Sequence, residues 1–236
     1  MKRGKKYEEK AALIDSSRAY PPDEAVQLAK QIAFARFDET VELHMRTTLD
    51  PRHAEQQLRG TALLPHGLGK TVRVLVFAEG EAARVAEEAG AEFIGADDLI
   101  KKIEDGWTGF DVALAQRELM GKVGRLGRVL GPRGLMPNPR AGTVVDGANI
   151  ERAVRDATQG KVEFRLDRTS ILHVPIGKAS FKQEQLLENL ATIVQEVVKA
   201  KPSGAKGQFV RSITLATTMG PSIKLDLAPT LALTAG

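Results

Sequence analysis

At Val72 the spacing of apolar residues changes, and that change limits the folds open to this chain more than any other feature. Val72–Phe77, VRVLVF, is a continuous apolar run of the kind buried on both faces of a sheet. It opens a rhythm of strand and helix. Glu81–Ala89 reads as a helix ended by Gly90, Ala91–Ile94 as a short strand, Ala96–Glu104 as a helix and Asp111–Ala115 as a third strand. Ile150–Thr158 is a further helix, closed by Gly160. Such a rhythm predicts a small parallel sheet with covering helices.

The flanks follow a different pattern. Pro22 and Asp23 open a helix to about Ala35. Thr40–Leu49 then alternates, with Val41, Leu43, Met45 and Leu49 on one side and Glu42, His44, Arg46 and Thr48 on the other: a half-buried strand. Arg59–Leu64 reads as another. Past Gly160, Lys161–Leu166 and Ile171–Val174 flank Asp167–Ser170 as a hairpin. Phe181–Lys199 is a long amphipathic helix, and Gln208–Thr217 and Ile223–Leu227 are strands. The residues from there to Gly236 lack a pattern and are expected to be loose. Because the two ends resemble each other more than the middle, the expected architecture is mixed α/β and α+β in two domains. A discontinuous α+β domain takes residues 1–67 and 160–236, and a three-layer α/β domain, 68–159, is inserted in it. Two crossings, each beside glycine, would form a hinge.

One stretch of the middle departs from its rhythm. Gly121–Pro139, GKVGRLGRVLGPRGLMPNP, carries Lys122, Arg125, Arg128 and Arg133, with Arg140 just beyond, and no acid falls between Glu118 and Asp146. Its five glycines argue against a long helix and its prolines against a strand. Val123, Leu126, Val129, Leu130, Leu135 and Met136 argue equally against a disordered linker. The expectation is a folded loop, anchored by apolar side chains, with arginines facing an anion. Net charge is only +4, so any nucleic-acid signal lies in where the basic residues sit. Lys2, Arg3, Lys5 and Lys6 are a second cluster, read either as a frayed terminus or as an arm on a phosphate backbone. At 5% aromatic content, stacking on many rings is not expected to be the main mode of binding.

Other functions find less support. No cysteine is present, which excludes disulfides and thiolate metal sites. No apolar run approaches the ~20 residues of a membrane span, and no apolar stretch follows the basic N-terminus as in a secretory signal; the expected location is the cytoplasm. His44, His53, His66 and His173 are scattered without ligand spacing, so no metal site is expected. Glu87-Glu88 and Asp97-Asp98 occupy adjacent helix positions and point apart. The alternative to a binding protein is an enzyme or nucleotide-binding protein using Gly69-Lys70-Thr71, which resembles the end of a phosphate-binding loop. Position 64, where the first glycine belongs, is leucine, and a strand rather than a helix follows.

The run Gly127–Pro139, G-R-x-L-G-P-R-G-L-M-P-N-P, resembles the signature of the ribosomal protein L-one family. The likeness extends to Phe37–Thr40, the segment Arg59–Lys70, Phe164-Arg165, Pro175–Ala179 and Thr217–Ser222. It implies a domain built from both termini with a Rossmann-like α/β domain inserted through a hinge. It also implies a monomer when free that needs no cofactor, is not an enzyme, and serves as a constituent of the large ribosomal subunit. The partners implied are large-subunit rRNA in the mobile stalk, exit-site tRNA, and the mRNA of its own operon, whose translation it represses. The main RNA surface implied is on the terminal domain: Arg36, Phe37 and Thr40 from one side, and Thr217, Thr218, Met219 and Gly220 from the other. Arg211 and Ser212, and Arg3, Lys5 and Lys6 with Lys2, would add contacts. Lys122, Arg125, Arg128, Arg133 and Arg140 become a secondary RNA surface. A core position is the competing reading for Phe37.

Overall fold

The computed structural model describes residues 4–205 and 207–234. They form two compact units, one drawn from both ends of the chain, up to Gly69 and from Val162 onward, the other from Lys70–Lys161. Lys2 and Arg3 lie outside the described residues.

The outer unit begins with α1 (Lys5–Ala11), so part of the basic terminus is helical rather than frayed. Helix α2 (Pro22–Ile32) starts on a proline at its first position, where no N–H is needed, and buries Ala25, Val26, Ala29 and Ile32. It stops before Ala35 because the N–H groups of Phe34 and Ala35 are taken by the Glu39 carboxylate instead of by helix carbonyls. Strand β1 (Thr40–Thr47) points Val41, Leu43, Met45 and Thr47 inward, and β2 (Arg59–Leu63) follows.

The inserted unit runs β3 (Val74–Phe77), α3 (Glu81–Glu88), β4 (Phe93–Gly95), α4 (Asp97–Glu104) and β5 (Val112–Gln116). It closes with α5 (Met120–Val123), α6 (Gly127–Leu130), β6 (Val144–Val145) and α7 (Ile150–Gln159). The sheet has the order β4-β3-β5-β6, and all its pairings are parallel. Strand β3 serves two cores. Leu75 and Phe77 pack with α4 and the segment that follows β5, while Val74 and Val76 pack with α3 and α7. This is the three-layer arrangement that a strand apolar on both faces requires.

The sequence reading of Gly121–Pro139 as a loop is corrected here. From Arg117 to Leu130 the backbone is a succession of helical turns, α5 and α6 interleaved with 3-10 turns at Arg117–Leu119 and Gly124–Leu126. Gly124 and Gly127 adopt ordinary right-handed helical angles. Burial of Val123, Leu126 and Leu130, spaced for one helical face, outweighs the low helix propensity of the glycines. Gly134 and Gly142, past the helical turns, have positive φ. Strand β6, which the apolar pattern did not indicate, lies at the sheet edge beside β5.

The chain then returns to the outer unit with β7 (Lys161–Arg165), β8 (Ile171–Lys178), α8 (Gln183–Lys199), β9 (Val210–Thr217), β10 (Ile223–Leu225) and α9 (Leu227–Leu231). Its main sheet is antiparallel, in the order β10-β9-β1-β8. The expected hairpin of the flanks of Asp167–Ser170 does not form as a ladder. Strand β7 pairs with β2 in a separate two-stranded sheet, β8 pairs with β1, and a single bridge, Leu166 to Leu172, joins the two. The turn itself is built as its sequence suggests: Asp167 Oδ1 accepts from the N–H groups of Thr169 and Ile171 at 2.8 and 2.7 Å. Nor is the described part of the tail loose, while Ala235 and Gly236 lie outside the described residues. Asp226 caps α9 through the Ala228 N–H at 3.1 Å, Thr230 is buried, and Leu233 packs on the core.

Candidate nucleic-acid interface

One end of the antiparallel sheet gathers the start of β1, the end of β8 and the turn after β9. The organiser is Glu39, a residue that sequence reasoning did not single out. It is 1% exposed. Its Oε1 accepts from the N–H groups of Phe34 and Ala35, both at 2.7 Å, and its Oε2 accepts from the Met219 N–H at 3.0 Å. Burial alone would raise its pKa. The N–H groups of Ala35, Met219 and Phe34 outweigh that and hold it below the usual carboxylate value. A buried carboxylate thus staples the segment after α2 to the turn after β9. Nearby, the Thr40 N–H donates to Thr218 Oγ1 at 2.9 Å and the Thr218 N–H to the Thr40 carbonyl at 3.0 Å. Lys178 Nζ donates to Thr40 Oγ1 at 2.8 Å, and Ser180 Oγ to Asp38 Oδ2 at 2.6 Å.

On this stitched frame stand two large apolar side chains that the core does not take. Phe37 is 56% exposed and Met219 52%. The reading of Phe37 as a core residue is therefore wrong: the Glu39 staple ends α2 early and turns the segment outward. Arg36 and Thr218 are also exposed. Gly220 sits so close to Thr217 that a Cβ would come within 2.2 Å of Thr217 Oγ1. Thr217 itself is 4% exposed, which places its side chain behind the surface rather than on it. Its hydroxyl lies close enough to Glu39 to favour the carboxylate's charge, yet without the geometry of a hydrogen bond.

The other expected residues fall elsewhere. Lys5 and Lys6 are exposed on α1, which is tethered to the end of α2 by Lys10 Nζ on the Gln31 carbonyl at 2.8 Å. Arg211 and Ser212 occupy the opposite end of β9, about 20 Å from the Thr218 turn at the usual rise per strand residue. They are not part of this cluster. In the inserted unit, Lys122 is bound to Asp97 at 3.1 Å and Glu79 at 3.3 Å, which raise its pKa and hold it within the unit. Arg125, Arg128 and Arg140 are exposed and have no ion-pair partner among the described residues, and Arg133 donates to Thr108 Oγ1. Lys70 is likewise engaged: its Nζ lies 2.5 Å from Asp111 Oδ1, and Arg73 holds the other oxygen at 3.0 Å. The Arg73 guanidinium, then Lys70, depress the Asp111 pKa far below the usual range. The chain leads from Lys70 into β3, not into a helix.

Two exposed apolar side chains, the hydroxyls of Thr40 and Thr218, and a flanking arginine make this the candidate surface of a two-unit α/β protein. Among the described residues no group of three or more His, Asp or Glu side chains could hold a metal ion, and no helix is long and apolar enough to cross a membrane. The chain belongs to the ribosomal protein L1p/L10e family, whose model matches residues 29–221. It is 56% identical over 225 residues to the large ribosomal subunit protein uL1 of Dehalococcoides mccartyi, covering 95% of both chains. It is 56% identical to the proteins of the same name from Thermomicrobium roseum, over 98% of this chain and 96% of that one, and from Chloroflexus aggregans, over 96% of each. These relatives are named as ribosomal proteins and not as enzymes.

Proposed function

We propose that this protein is a structural constituent of the large subunit of cytoplasmic ribosomes and binds large-subunit rRNA in the mobile stalk. The outer unit acts as the RNA-binding domain, and its surface is that of Arg36, Phe37, Thr40, Thr218, Met219 and Gly220. The observation that carries the reading is the exposure of Phe37 and Met219 on segments locked in place by a buried carboxylate. Holding two apolar side chains in water on a rigid frame suits stacking or apolar contact with RNA, with Thr40 and Thr218 available to 2′-hydroxyls and phosphates. The names of the relatives support the same assignment. By the same reading the protein takes part in release of exit-site tRNA and represses translation of its own operon by presenting one surface to rRNA and mRNA. The exposed Arg125, Arg128, Arg133 and Arg140 of the inserted unit serve as secondary contacts, and the two crossings between units serve as a hinge. The nucleotide-site alternative is disfavoured because Asp111 already neutralises Lys70.

The test is affinity for a folded fragment of stalk rRNA as a function of salt. Log affinity should fall linearly with log salt. Phe37→Ala and Met219→Ala should each weaken binding about tenfold or more while changing stability by no more than about 0.5 kcal/mol, since neither side chain is in the core. Loss of rRNA affinity with mRNA affinity kept would refute the shared surface, and affinity that ignores both substitutions would refute the site.

A further inference from the structure

The first crossing carries two glycines with positive φ, Gly67 at 62° and Gly69 at 68°, the residues a flexible joint would use. The contacts around them point the other way. Asn189 of α8, fully buried, spends its whole amide on this stretch. Its Oδ1 accepts from the His66 N–H at 3.2 Å. Its Nδ2 donates to the Gly67 carbonyl at 3.0 Å and to the Ile176 carbonyl of β8 at 2.8 Å. One buried side chain thus ties the crossing to both a helix and a strand of the outer unit. His66 Nε2 lies 2.5 Å from Glu188 Oε2, the Gly67 N–H donates to the Leu64 carbonyl at 3.1 Å, and Leu68 packs on the core. At Gly69 a Cβ would come within 2.6 Å of Phe181 Cε1 and 3.0 Å of Lys178 Cγ, so the backbone lies directly against that ring. Phe181 is itself held: its N–H donates to the Lys178 carbonyl at 3.0 Å, and its carbonyl accepts from Lys30 Nζ.

We infer that residues 65–69 are a lock rather than a joint. Asn189 and the Phe181 ring make them a fixed part of the outer unit, and the first crossing pivots only beyond Gly69. This rests on the hinge proposed above and locates it. Past Gly69, the next firm hold on the chain is made within the inserted unit, where Asp111 Oδ2 takes the Arg73 guanidinium at 3.0 Å and the Arg73 carbonyl accepts from the Asp111 N–H at 2.9 Å. In between, the backbone of Lys70, Thr71 and Val72 makes no hydrogen bond among the described residues. The Lys70 ammonium, on its flexible four-carbon stem, can keep its hold on Asp111 while the backbone turns. On the return, Gly160 closes α7 on the Asp156 carbonyl and Val162 is already in the outer core, which leaves Lys161 alone between them. Were residues 65–69 free as well, the first link would run from position 65 to 72 instead of 70 to 72. The reach of a flexible chain rises with the square root of its length, so the lock keeps the swing of the inserted unit narrow.

A joint and a lock respond in opposite directions to Gly69→Ala. Alanine narrows the backbone freedom of a joint, whereas in a lock its Cβ strikes the Phe181 ring and releases the segment. Mobility is read at two levels in the full-length protein. The first is amide hydrogen exchange by NMR at His66 and Gly67. The second is the distance distribution between spin labels on Lys224→Cys in the outer unit and Arg84→Cys in the inserted one, a pair that the cysteine-free chain allows. In the parent, His66 and Gly67 should exchange at least about tenfold more slowly than Thr71. Gly69→Ala and Asn189→Ala should each speed exchange at His66 about tenfold or more and widen the distance distribution. Circular dichroism confirms that each variant is folded, and Gly69→Ala, which keeps the buried Asn189, carries the test if Asn189→Ala is not. A distribution narrowed by Gly69→Ala, or exchange at His66 as fast as at Thr71 in the parent, would overturn the lock. A wide distribution that neither variant broadens would overturn the lock and leave the hinge. A single sharp distance in all three proteins would overturn the hinge and the pivot with it.

Discussion

Replacing Glu39 by glutamine keeps the size of the side chain and removes its charge and one of its two acceptor oxygens. In the protein those oxygens serve three backbone donors: Phe34 and Ala35 on one, Met219 on the other. Whichever way the amide is turned, its NH2 group faces at least one N–H, leaving a buried donor unsatisfied at a cost of about 1–3 kcal/mol. The bonds that survive lose their charge assistance, roughly half their strength. Together these give an expected destabilisation of about 2–4 kcal/mol, which at an ordinary urea dependence is a midpoint shift of about 1–2 M. The single tryptophan, Trp107, lies in the inserted unit, so its fluorescence reports that unit while far-ultraviolet circular dichroism reports both. The dichroism transition should move and the fluorescence transition should stay. The pH dependence follows from the sign of the shift. Glu39 is held below its ordinary value of 4.5, so its contribution is complete above that value and is lost as pH falls through the folded value. The gap between wild type and Glu39→Gln should therefore hold from neutral pH to about 5 and close below it. A dichroism midpoint that does not move, or a gap that widens in acid, would refute the staple.

Two further outcomes are expected. Gly220→Ala puts a Cβ within 2.2 Å of Thr217 Oγ1 and should cost about 1–3 kcal/mol and weaken RNA binding; Thr217→Ala in the same chain should restore at least about 1 kcal/mol, a coupling read from a double-mutant cycle of urea midpoints. Replacing Lys70–Lys161 by a short glycine linker should keep most of the rRNA affinity, measured by filter binding, because the surface of Phe37 and Met219 lies wholly in the outer unit; collapse of affinity would assign the main contact to the inserted unit.

How much of this was legible in the sequence depends on how local each cause is. Alternation in Thr40–Thr47 and the apolar run of β3 come from burial of single strands, and both are plain in the residues. The turn at Asp167–Ser170 is local and was readable, but the partners of its flanking strands are distant: β7 goes to β2 and β8 to β1. From Arg117 to Leu130 glycine propensity pointed away from helix, although Val123, Leu126 and Leu130 already carried a helical spacing that burial then enforced. Helix α9, five residues long, is too short for any periodicity to show. At the surface, Phe37, Thr218, Met219 and Gly220 came from the resemblance, but Glu39 had no signal of its own beside Asp38. Its role depends on Met219, far along the chain, and on burial that no spacing reveals.

The place of β1 between β8 and β9 has a consequence for the making of the protein. Both neighbours of this central strand are encoded after the whole inserted unit, so a chain emerging from its N-terminus carries β1 with neither edge satisfied. At about 5–20 residues per second, the interval from the end of β1 to the end of β9 is ~10–30 s. During that time Lys70–Lys161, whose strands and helices are contiguous, can complete its own fold. Birth order is thus the reverse of chain order: the middle matures first, and the unit containing the first residues is the last to close.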